Sequence, residues 1–225
     1  TTKMVWTYHL ARWVFGLGLL MTIYRFLTAL TGSVRTRRLA WLMTTFGSGL
    51  GWLLVTIGQP DWLRSLPIDF LLPEGFTFLV LFAFPHLALA HTLFLWGLLS
   101  LLRAWFPAGR GTERNRCKTP PAAQLHRSDI TRVFHPSAFL AGLLWLLMGL
   151  VVPFYVAVAW VVTAAAWITL VVRERRFCWW RVGAAVVAAS ISAPILAYSA
   201  WRLSSHPVYA SWLAQSQVLS PHPLH

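Results

Sequence analysis

Long apolar runs alternate with short basic ones along this chain, and the alternation predicts helices that cross a membrane. A crossing helix needs about 20 consecutive, predominantly apolar residues. Runs of that kind cover residues 5–30, 39–57 and 76–102. Arg12 and Arg25 interrupt the first near its ends, where long side chains snorkel toward the headgroups. The charge-free stretch 137–172 is too long for one crossing. Pro153 lies near its middle and cannot donate a helical hydrogen bond, so the stretch divides into 137–152 and 154–172. A last run covers 182–201. The expected fold is all-α: a polytopic integral membrane protein, a bundle of six transmembrane helices forming one domain.

The loops between the runs test that count. Arg35, Arg37 and Arg38 follow the first run. Arg103, Arg110, Arg114, Arg116, Lys118, Arg127 and Arg132 follow the third, and Arg173, Arg175, Arg176 and Arg181 follow the fifth. The opposite side receives Lys3, Arg64 and Arg202. Basic loops face the cytoplasm, so 103–136 is expected to be a cytoplasmic basic loop, and both termini are expected outward. The expected location is the bacterial cytoplasmic (inner) membrane. Residues 202–225, with Tyr209 and Trp212 among Ser, His and Pro, read as an outward tail lying along the interface. A chain that starts at Thr1 and enters from outside is expected to lack upstream sequence.

Composition agrees with the pattern. Hydrophobic residues make up 57% and charged residues 11%, with a mean hydropathy of +0.61, whereas soluble domains carry about 25% charged residues. The net charge of +13 would point to nucleic acid in a soluble chain. Here the positive residues sit in the loops, so topology accounts for them and no nucleic-acid partner is expected. Cys117 and Cys178 fall in basic loops without a CxxC partner and are expected to be reduced thiols.

Candidate chemistry is sparse. Gly47-Ser-Gly49-Leu-Gly51 has no preceding strand and no following Lys-Ser/Thr, so it reads as small residues letting helices approach, not as a phosphate loop. His86 lies about ten residues, or roughly 15 Å, into the third run. An intramembrane His is a cofactor-site candidate, able to ligate haem or a chlorin magnesium through its neutral imidazole; the competing reading is a His hydrogen-bonded across helices. His91 points about 140° away from His86 on a helix, so the two do not form one site. Lys3 and Lys118 are the only lysines and neither lies in a run, which excludes retinal.

The outward loop 58–75 is the best chemical candidate. Asp61, Asp69 and Glu74 are three of the chain's six acids. Carboxylates there can bind a divalent cation, or act as base or charge stabiliser beside a lipid-linked substrate. The competing reading is simple solvation, with Glu74 favouring the N-terminal dipole of the following helix. No metal-ligand spacing and no intramembrane-protease pattern accompanies them.

Five strings occur in order: Tyr8-His-Leu-Ala-Arg12, Gly47-Ser-Gly-Leu-Gly-Trp52, Pro73-Glu-Gly-Phe-Thr-Phe78, Pro85-His-Leu-Ala-Leu-Ala90, and Ala210-Ser-Trp-Leu-Ala-Gln215 followed by Leu219-Ser-Pro221. Together they resemble a group of large bacterial multi-span proteins related to the glycosyltransferase-C (GT-C) membrane superfamily. The resemblance implies an internal fragment of a longer protein. It also implies sugar transfer from a polyprenyl-phosphate donor at the outer face, with outward acids as base and metal ligands. Asp69 and Glu74 match the acidic loop position, with Asp61 nearby; His206 stands where an acid is expected before Pro207-Val208. Expected partners are membrane lipids and the polyprenyl-phosphate sugar. The alternative is a non-catalytic structural or pigment-associated subunit of a larger respiratory or photosynthetic membrane complex, with other membrane subunits as partners and His86 holding the pigment.

Overall fold

Apolar sequence leaves the backbone to satisfy its own hydrogen bonds, and within one segment only a helix does so. The computed structural model describes residues 2–47, 51–59, 76–106, 133–175, 177–209 and 211, and among them regular structure is helical, without strands. In chain order the helices are α1 (Thr2–Leu30), α2 (Val34–Phe46), α3 (Gly51–Thr56), α4 (Thr77–Ala83), α5 (Pro85–Trp105), α6 (Pro136–Val151), α7 (Phe154–Glu174) and α8 (Trp179–Ser205). Among the described residues four helices, α1, α5, α7 and α8, are long and apolar enough to cross a membrane; α6 is apolar but shorter.

Local chemistry explains where the helices depart from the apolar runs. The Ser33 hydroxyl accepts from Thr36 N at 3.4 Å and starts α2 at Val34. Arg35, Arg37 and Arg38 therefore occupy the first turns of a helix, where a loop was expected. Gly47 ends that helix after only 13 residues, so the glycine string begins at a helix end and not within a long span. The run 76–102 is broken at Phe84, whose φ of −129° and ψ of 76° are non-helical. Pro85 is the cause: its ring disfavours the helical conformation of the residue before it, while its fixed φ suits the first position of the next helix. Pro153 acts the same way on Val152, which is extended at φ −140° and separates α6 from α7. Arg175 closes α7 in the left-handed region at φ 51°, a conformation in which a non-glycine residue is uncommon.

The chain divides into two compact units, Thr1–Thr92 with Arg202–His225, and Leu93–Trp201. In the first, α1, α2 and α4 pack on one another. Trp41 Nε1 donates to Leu20 O at 3.0 Å, and the Tyr8 hydroxyl donates to Ala83 O at 2.7 Å. The second of these satisfies a carbonyl left open at the end of α4. Leu19, Ile23 and Val80 are buried there.

The second unit is built on small residues. In α8 the buried positions Trp180, Ala184, Ala188 and Ser192 recur every four residues, and α6 buries Ala138, Ala141, Gly142 and Gly149 around Trp145. A Cβ on Gly142 would meet Ile191 Cβ at 2.8 Å and Ala188 O at 2.9 Å, and one on Gly97 would run into the Trp145 indole. Close backbone approach through small residues is how helices associate without a hydrophobic driving force between them. Large apolar side chains point outward in both units, among them Met21, Leu39, Leu150 and Val161. Cys178 is disulfide-bonded, which corrects the expected reduced thiol: a buried residue next to α8 is joined covalently where basic-loop context alone suggested a reducing compartment. Cys117 lies outside the described residues.

Candidate functional site

The outward acids Asp61, Asp69 and Glu74 all lie outside the described residues. His86 is described. It sits on the first turn of α5, immediately after the break, and is exposed. Its ring stands edge-on to Phe84, with centroids 6.2 Å apart. The break thus moves it from the middle of an expected continuous span to the start of a helix. His91 is a turn further along, and its Nδ1 lies 2.9 Å from Leu87 O. A carbonyl only accepts, so that bond requires the proton on Nδ1. Among the described residues no group of three or more His, Cys, Asp or Glu is arranged to hold a metal ion.

A buried polar cluster lies in the second unit and was not anticipated as a site. Arg181, 5% exposed, places its guanidinium 2.9 Å from the Glu174 carboxylate. Its cationic carbon also lies 4.9 Å from the Phe106 ring centre and 5.5 Å from that of Trp180. A buried cation needs both a counter-charge and further polar or aromatic contacts to offset desolvation, and the cluster supplies them. Trp105 adds a bond from Nε1 to Arg181 O at 3.0 Å. The sequence holds one cue: Glu174 is the single acid in Arg173-Glu-Arg-Arg176. Spacing alone does not identify which cation it serves. All of these contacts hold the ends of α5, α7 and α8 together, and the cluster offers no group positioned for proton or group transfer.

A cavity of about 220 Å³ lies nearby, walled by Trp145, Trp160, Trp167, Thr163, Val182 and Val186. The indole N–H of Trp145 is committed to Phe94 O at 3.4 Å and that of Trp160 to Ser192 Oγ at 3.1 Å. These two rings therefore present carbon faces, suited to an apolar group.

Comparison with family models, with curated proteins and with solved structures finds no match to this chain.

Proposed function

We propose that this chain is part of a GT-C-type glycosyltransferase that acts on polyprenyl-phosphate-linked sugars at the outer face of a bacterial cytoplasmic membrane. In this reading the chain crosses six times and keeps both termini outward. What supports it is that Asp61, Asp69 and Glu74 share one segment between apolar runs of the sequence, a segment the alternation of basic loops assigns to the outer side. A carboxylate at that position removes the proton from an acceptor hydroxyl while a neighbour, directly or through a divalent cation, steadies the charge on the departing lipid phosphate. The resemblance of the five in-order strings to GT-C proteins supports the same chemistry. The test is sugar transfer by the protein in its native membrane. Asp69→Asn and Glu74→Gln are each expected to lower the rate by about a hundredfold or more, the scale of a lost general base. Unchanged transfer in both would remove the reading.

A second reading is favoured by one observation: His86 is exposed at a helix start beside an aromatic ring. In it the chain is a non-catalytic subunit of a larger membrane complex, with a pigment on His86 and partner subunits on its outward apolar faces. The purified protein is then coloured, and His86→Ala removes the visible band. A colourless native protein overturns this reading.

A further inference from the structure

The first unit carries a groove that is apolar along its length and basic at its rim. It lies between α1 and α2 and has a volume of about 780 Å³, within the range of sites that hold small molecules. The bond from Trp41 to Leu20 O fixes the register of this antiparallel pair. With residues 31–33 as the turn, that register sets Arg25 on α1 opposite Arg38 on α2. Both guanidinium side chains line the groove, and Leu17, Met21 and Leu42 line it further from the turn. Leu17, Met21 and Leu42 are each exposed, so the groove opens sideways along the helices. From Arg25 to Leu17 the helix rises about 12 Å, enough to lay a stretch of hydrocarbon chain below the charged rim.

Arg37 serves a different purpose. Its Nη2 donates to Thr31 O at 3.0 Å and its guanidinium lies 5.7 Å from the Tyr24 ring, which closes the turn. The charge balance on this part of the chain is one-sided. Lys3, Arg12, Arg25, Arg35, Arg37 and Arg38 precede residue 60, and no Asp or Glu does. The start of α2 adds the positive end of a helix dipole to the same rim.

We propose that this groove binds an anionic phospholipid from the leaflet on the arginine-rich side, its phosphate between Arg25 and Arg38 and one acyl chain along Leu17, Met21 and Leu42. A planar guanidinium matches phosphate oxygens in two parallel bonds, and basic pockets between membrane helices hold anionic headgroups for this reason. An apolar groove by itself would accept any tail, so the two arginines make the selection by charge. The inference goes beyond sugar transfer and rests only on membrane embedding. Loss of lipid selectivity and loss of transfer are therefore separate outcomes.

The experiment uses the full chain in phosphatidylcholine nanodiscs with added phosphatidylglycerol, reading bound lipid by native mass spectrometry. Phosphatidylglycerol is expected to be retained in preference to phosphatidylcholine of the same tails. The Arg25→Gln, Arg38→Gln double variant should weaken that retention by roughly tenfold or more, the weight of a charge-assisted contact. Arg35→Gln removes the same charge outside the groove and should leave retention unchanged. Met21→Trp fills the groove without touching charge and should also expel the lipid; it keeps the proposal testable if the double variant does not fold. Inorganic phosphate should not compete. The proposal is overturned by equal retention of the two lipids in the unaltered protein, by an Arg35→Gln loss as large as the double variant's, or by displacement with inorganic phosphate.

Discussion

At the scale of single residues, the polar atoms that matter are mostly committed to backbone carbonyls or to one another, as a low-dielectric interior requires. Arg181 is the sharpest case. Replacing Glu174 with Gln leaves a buried guanidinium without its counter-charge, and we expect a loss of about 1–3 kcal/mol, the range for a stranded buried group. Arg181→Lys keeps the charge yet loses the planar contact with Phe106 and Trp180, so it should recover only part of the stability. Thermal unfolding of the two variants in one detergent checks both, and equal melting temperatures for wild type and Glu174→Gln would show that the pair contributes nothing. Beyond the single acid at Glu174, none of this was legible in the sequence. Arg181 read as a loop charge because hydropathy records that a residue is basic and not what it faces. The tryptophan N–H bonds were hidden for a related reason: Trp41, Trp105 and Trp145 donate to carbonyls 21, 76 and 51 residues away.

At the scale of elements, small residues decide how close the helices come. In α6 and α8, Gly142 faces Ile191 and the carbonyl of Ala188. A leucine at 142 has nowhere to go, because one of its obstacles is backbone, and we expect Gly142→Leu to cost about 1–3 kcal/mol or more. Gly97→Ala should act in the same direction through the fully buried Trp145. A Gly142→Leu protein that unfolds at the wild-type temperature would mean the two helices are not packed here. Helices were well foretold by the apolar runs, and Pro153 marks a real break. Two other boundaries were not foretold. The Ser33 cap starts α2 inside a basic segment that hydropathy scores as loop, and Pro85 splits a run that is apolar on both sides. Each is set by one residue's backbone chemistry, which an average over a window removes. The acids of the candidate site stand apart from this comparison, since 60–75 lie outside the described residues.

At the scale of the whole molecule, the feature with the widest reach is the length of α6. Its 16 residues rise about 24 Å, while α7, directly after it, has 21 and rises about 31 Å. Hydrocarbon thickness in an ordinary bilayer is about 30 Å. A crossing built from α6 is therefore short by several ångströms, and the bilayer must thin locally or the flanking polar residues, His135 among them, must be drawn inward. Each ångström of mismatch costs a fraction of a kcal/mol. The protein is expected to unfold at a higher temperature in vesicles of short-tailed phosphatidylcholine than in long-tailed ones, and no dependence on tail length would mean that α6 does not span. With α6 as a crossing, the same shortfall would bias the chain toward the thinner of two coexisting membranes, and a single helix ended early by a proline would act as a sorting device for the entire protein.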